Sequence, residues 1–367
     1  MIPFSPPRID QRNIDAVTET LKSGWITTGP KTKLFEQKIN DYVGAKKTIC
    51  LNSATAGLEL MLRWFGVGPG DEVIVPAYTY SSTGNVVLHC GARLILVDAQ
   101  EDFNVSPEAI KRAITENTKA VMPVDLGGYP VDYEEILAII NSERVSSLFK
   151  ANTKEQELLG RPLLLSDSAH AFGAEYSGQR VGSISDAHCF SFHAVKNLST
   201  AEGGCICLNL PSSFDHDEVY RYLTIYSLHG QTKDALAKTQ KGNWRYDIIE
   251  AGYKCNMTDI AAALGLVELD RYDSETLPRR REIMMAYDQA FSENDWAICP
   301  PIENENKISS YHLYMLRIRG VSEEQRDQII QEIFEREVSV NVHFQPLPLF
   351  TAYQSRGFNM DDYPVAF

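Results

Sequence analysis

The chain has 367 residues, 44% apolar and 23% charged, a balance that supports a buried core and excludes a fibrous or largely disordered chain. Its 49 acidic against 35 basic side chains give a formal charge of −14, which argues against nucleic acid as a partner but leaves room for a local basic pocket around one anionic ligand. At about 150 residues per domain the length predicts two domains, or one large α/β domain with a smaller appendage.

The opening M-I-P-F-S-P-P-R-I carries no basic segment followed by an apolar run, and no stretch approaches the about 18 apolar residues of a membrane span, so a cytoplasmic protein without membrane contact is expected. Apolar residues recur at helical spacing from Ile9 to Leu21, punctuated by Gly24 and Gly29, and again from Thr32 to Tyr42, which predicts an N-terminal helical arm. Short apolar runs follow, with helical periods between them: Lys47–Leu51, Glu72–Val75, Arg93–Val97, Ala120–Val124, Leu163–Leu165, His188–Phe192 and Cys205–Leu208. This alternation predicts a mostly parallel sheet covered on both faces, a three-layer α/β sandwich.

Residues 143–160 are longer than an ordinary connection and read as a surface insertion. Residues 212–250 are charged and aromatic with weak periodicity, which suits loops and short helices over a site. Met257–Tyr272 reads as a strong helix with an Ala-rich face. Ile308–Arg319 as a strand and Gln325–Arg336 as a helix predict a second, α+β domain. The seven cysteines show no zinc spacing and are expected as free, buried thiols, with Cys205 and Cys207 on one strand face; no metal site is predicted.

Four segments could carry chemistry. In C-F-S-F-H-A-V-K-N-L-S-T-A-E-G-G (Cys189–Gly204) an apolar strand ends just before Lys196. A lysine at such a position loses its proton readily, and the neutral amine attacks carbonyls, so Lys196 is a Schiff-base candidate; a surface lysine is the bland alternative. In L-L-L-S-D-S-A-H-A-F-G (Leu163–Gly173) a strand delivers Asp167 to its C-terminal end with His170 three residues on, well placed to hold a ring cation unless Asp167 merely caps a helix. In L-N-S-A-T-A-G-L-E-L (Leu51–Leu60) a strand meets a helix through small residues, so Ser53, Ala54 and Thr55 could cradle a phosphate. In V-P-A-Y-T-Y-S-S-T (Val75–Thr83) Tyr80 could stack on a flat heterocycle or fill core space. Phosphate cradle, stacking ring, carboxylate and lysine, in that order on one sheet, are the parts needed to hold pyridoxal 5′-phosphate.

These residues resemble the fold-type I pyridoxal-phosphate enzymes, and specifically the DegT family of nucleotide-sugar aminotransferases, over nearly the whole chain. The motifs that carry the resemblance are S-G-W-I-T-T-G-P…F-E (Ser23–Glu36), N-S-A-T-A-G-L, P-A-Y-T-Y-S-S-T, S-D-S-A-H-A-F-G, S-F-H-A-V-K-N-L-S-T-A-E-G-G, L-H-G (Leu228–Gly230) and G-Y-K-C-N-M-T-D-I-A-A-A-L-G (Gly252–Gly265). Among the branches, the one acting on UDP-linked 4-keto sugars, including the makers of 4-amino-4-deoxy-L-arabinose, is most similar. The resemblance implies a large pyridoxal-phosphate domain over 1–245 and a small domain over 246–367. It implies Lys196 as the Schiff-base residue, Asp167 on the pyridine nitrogen, His170 on the ring hydroxyl and Tyr80 as the stacking ring. Ser53, Ala54, Thr55 and Ser191 would bind the phosphate.

Asn256 or Lys254, which share the G-Y-K-x-N segment, would reach the neighbouring subunit's phosphate, so a homodimer with shared sites is implied. The implied partners are L-glutamate and a nucleotide-linked 4-keto sugar, with Arg221 and Arg245 as candidate cations at the mouth. A 3-keto sugar, or a regulator that keeps the fold without turnover, are the alternatives; a sugar dehydratase would need histidine in place of Lys196. Three departures stand out. Ala54 replaces a common Gly, Val124–Gly128 reads V-D-L-G-G in place of V-H-L-Y-G, and the chain stops at Phe367 where relatives continue, which reads as a truncated small domain.

Overall fold

The computed structural model describes residues 1–233 and 245–367. Helix α1 (Gln11–Ser23) starts where the Asp10 side chain accepts from the Arg12 amide and Asn13 answers the Asp10 amide; it stops at Gly24, whose φ of 75° favours glycine. Helix α2 (Pro30–Val43) begins on a proline that has no amide hydrogen to leave unpaired. Then come β1 (Lys47–Leu51), α3 (Ala54–Trp64), β2 (Glu72–Pro76), α4 (Ser81–His89), β3 (Arg93–Val97), α5 (Pro107–Ala113), β4 (Thr118–Val121) and α6 (Tyr133–Ile140). The stretch read as an insertion forms two short helices, α7 (Glu143–Leu148) and α8 (Lys154–Leu159), capped by Ser142 and Thr153.

Strand β5 (Leu163–Asp167) precedes a small hairpin of β6 (Glu175–Tyr176) and β7 (Gln179–Arg180), then β8 (Ala187–Ser191) and β9 (Gly204–Leu208). The main sheet runs β1-β9-β8-β5-β4-β2-β3. Its β8-β5-β4-β2-β3 portion is parallel, and β9 lies antiparallel to both neighbours. All seven predicted strands are present. Both faces are buried: Leu163, Leu165, Cys189 and Ile206 join one apolar cluster, Leu164, Phe190, Cys205 and Cys207 the other. The seven cysteines are free, and Cys205 and Cys207 share a face with their sulfurs 3.9 Å apart.

Two sequence expectations change. In the stretch 212–250, α9 (His216–Tyr226) is a full helix capped by Asp215; its polar first turn hides the Val219, Leu223, Tyr226 spacing that packs inward. The part of that expectation covering 234–244 lies outside the described residues. After α10 (Asp259–Asp270) and α11 (Leu277–Phe291) come β10 (Ala297–Ile298), β11 (Lys307–Ile308) and β12 (Arg317–Ile318). Ile308–Arg319 is therefore not one strand. Between β11 and β12 the backbone bonds instead to a glycine loop, Ser310 N to Gly128 O at 3.0 Å and Leu313 N to Gly127 O at 3.1 Å. Helix α12 (Glu323–Glu335) follows as predicted, and then α13 (Thr351–Gln354). The chain's last stretch returns to the sheet: Leu347, Tyr353, Met360 and Ala366 are buried in its first cluster.

Candidate active site

The C-terminal ends of β2, β4, β5 and β8 open on one side, where parallel α/β sheets bind ligands. Strand β5 delivers Asp167 there, 4% exposed. Thr83 Oγ1 donates to Asp167 Oδ2 at 2.8 Å, and the Ala169 amide donates to Oδ1 at 3.2 Å. Thr79 Oγ1 lies 3.0 Å from Thr83 Oγ1, so α4 orients the carboxylate. Burial pushes the Asp167 carboxyl above its ordinary range, while Thr83, Ala169 and the Lys196 charge pull it back. A carboxylate in such a place is stabilised by a cationic N–H set against it.

Lys196 lies in the loop after β8. Among the described residues its amine has no hydrogen-bond partner. Burial brings it down to about 8, with Asp167 opposing, so about a tenth of it is neutral at pH 7. The loop is held by Asn197, which donates to Ser310 O at 2.7 Å and accepts from His312 Nδ1 at 2.8 Å.

His170 Nδ1 accepts the Gly127 amide at 3.2 Å, which places its proton on Nε2. Burial, then the Lys196 and His343 charges, hold it well below the usual imidazole range, so it is a neutral donor. Its ring is 5.7 Å from Phe344, which in turn is 5.7 Å from Tyr80. Tyr80 is 61% exposed; it is not core filler and its ring is open to a ligand.

Ser53 caps α3, its Oγ accepting from the Ala56 amide at 3.1 Å. The Ala54 and Thr55 amides have no acceptor among the described residues, an arrangement that attracts an anion. Ser191 pairs with Gly204, and Gly204 pairs with Leu51. A Cβ on Gly204 would stand 2.5 Å from the Ser53 carbonyl carbon and 2.7 Å from Phe190 O, so a glycine is needed for β9 to meet the start of α3. Asn256 bridges to Leu51 and donates to Thr28 Oγ1 at 2.6 Å. Lys254 Nζ donates to Asn256 Oδ1. Arg221 and Arg245 are exposed.

Sequence reasoning brings out Lys196, Asp167, His170, Tyr80 and the α3 start, which the fold gathers at one sheet edge. It misses Thr83, Asn197, His312 and Phe344. Thr83 and Asn197 lie inside motifs quoted for other residues; His312 and Phe344 reach the site from segments with no local signal. The residues present fit pyridoxal phosphate: a buried carboxylate near an amine, and amides at a glycine-fitted helix start, both without partners among the described residues.

Comparison with known proteins agrees. The DegT/DnrJ/EryC1/StrS aminotransferase family matches residues 7–366, and the chain belongs to that family. It is similar to the putative sugar aminotransferase Spr1654 from Streptococcus pneumoniae in its PMP form, at 49% identity and TM-score 0.95, covering 100% of this chain and 91% of that one. Spore coat polysaccharide biosynthesis protein SpsC of Bacillus subtilis is 37% identical, over 100% of this chain and 89% of SpsC. Helicobacter pylori PseC, an aminotransferase involved in pseudoaminic acid biosynthesis, is 26% identical with TM-score 0.84, over 100% of this chain and 91% of PseC. The protein is a pyridoxal-phosphate-dependent sugar aminotransferase of fold type I. No helix among the described residues is long and apolar enough to cross a membrane.

Proposed function

We propose that this enzyme moves the amino group of L-glutamate to a nucleotide-linked 4-keto sugar, as a cytoplasmic homodimer in polysaccharide biosynthesis. The observation that carries the reading is the half-buried Lys196 amine near Asp167 at the open sheet edge, with no hydrogen-bond partner among the described residues. Bound pyridoxal phosphate supplies a carbonyl that reacts with primary amines and a ring that draws electrons from the adjoining carbon.

Lys196 would hold the cofactor as its nucleophile, and its amine, when free, would be the base that takes and returns a proton at Nζ. Asp167 would keep a cationic N–H against its Oδ atoms. The His170 Nε2–H would donate to the ring oxygen, and Tyr80 would stack on the ring. Ser53, Ala54, Thr55 and Ser191 would hold the phosphate, with Asn256 or Lys254 serving the neighbouring subunit. Purified enzyme incubated with L-glutamate and a panel of UDP-, GDP- and dTDP-linked ketosugars should release 2-oxoglutarate with a 4-keto acceptor. Turnover confined to 3-keto acceptors overturns the substrate assignment. Lys196→Ala should abolish the visible absorbance of lysine-bound cofactor; retained half-transamination overturns the role of Lys196.

A further inference from the structure

Directly behind Asp167 lies a second buried carboxylate, Asp125, 1% exposed, at the position where the sequence departs from the family's usual histidine. Tyr133 Oη donates between its two oxygens, 2.8 and 2.7 Å away; Ser168 Oγ donates to Oδ2 at 2.7 Å, and the Val131 amide to Oδ1 at 3.1 Å. His188 Nε2 accepts the Ser185 amide at 2.8 Å, so its Nδ1 carries the proton toward Ser168 Oγ, 2.9 Å away. The backbones are tied as well: the Asp125 amide donates to Asp167 O at 3.2 Å, and the Asp167 amide to Pro123 O at 2.9 Å.

We propose that Asp125 is a positioning residue for Asp167: an anionic brace, held by Tyr133, Ser168 and His188, that fixes the strand end and helps retain the proton Asp167 shares with the cofactor ring. This rests on the reading of Asp167 given above. The groups facing Asp125 are Tyr133 from α6, Asp167 and Ser168 from the end of β5, and His188 from β8 through Ser168; no lysine or arginine pairs with it among the described residues. Burial holds the Asp125 carboxyl at about 6, so the brace is charged at neutral pH. Its three donors offset much of the desolvation, as a buried anion requires.

The test is a pH titration of the visible absorbance of the holoenzyme. Asp125→Asn removes the negative charge and keeps the shape, and should lower the midpoint by the order of one pH unit, with kcat reduced and KM for glutamate nearly unchanged. Tyr133→Phe, which leaves the carboxylate with one donor fewer and so easier to protonate, should move it the same way by less. A folded, cofactor-loaded Asp125→Asn enzyme with an unmoved midpoint overturns the proposal, as does an unmoved midpoint in Tyr133→Phe if Asp125→Asn fails to fold. Wild-type absorbance that survives Lys196→Ala would instead overturn the underlying site assignment, so the two failures are distinct.

Discussion

Lys196 and Asp167 share a medium that penalises both charges. Asp167 is the group that pulls the lysine's proton affinity back up, and Lys196 joins Thr83 and Ala169 in easing the carboxylate. Capture of the cofactor carbonyl needs the neutral amine, so its rate in the apoenzyme should rise about tenfold per pH unit below about 8 and level off above. Asp167→Asn removes the charge that holds the lysine's proton, so the midpoint should fall; stopped-flow absorbance at a series of pH values checks both. A midpoint that rises in the variant contradicts the electrostatic account. Thr83→Val tests the orientation of the same carboxylate: losing a buried hydrogen bond to a charged group costs about 1–3 kcal/mol, read as a lowered kcat with cofactor still bound.

Among elements, the contact of β9 with the start of α3 positions the anion cradle. Gly204→Ala should cost about 1–3 kcal/mol by overpacking and weaken cofactor affinity about tenfold or more, measured by fluorescence titration and thermal melting, because the intruding Cβ meets backbone that cannot turn aside. Helix α4 performs two tasks: Tyr80 stands at its N-cap, and Thr83 one turn later holds Asp167.

For the whole molecule, the C-terminal return is a structural tie. Leu347 is fully buried and its amide donates to Ala77 O at 2.8 Å, so Leu347→Ala should destabilise the apoenzyme by about 2–5 kcal/mol in urea melts. Acid sensitivity has an internal origin. Burial lowers His188 to about 3, against about 6.5 unfolded. The unfolded chain then binds the extra proton between those values, so stability falls as pH drops through that window. His188→Asn should reduce this slope by about 1.4 kcal/mol per pH unit.

The strand order could not be read from the runs that announced the strands, because an apolar run states that a segment is buried and not which neighbour it pairs with. What the sequence determined alone was local: the seven strands, the helices with strong apolar periodicity, and the residue types at strand ends, since Lys196, Asp167 and the small residues before α3 each carry their chemistry in short motifs. The tertiary structure decided what depends on distant partners. It set Asn197 and His312 behind the lysine loop, brought Phe344 beside His170, committed the Ser310 and Leu313 amides to the Gly127–Gly128 loop, and packed Asp125 behind Asp167. Those contacts join residues far apart in the chain, and their energy comes from burial and hydrogen bonding that exist only once the sheet has formed.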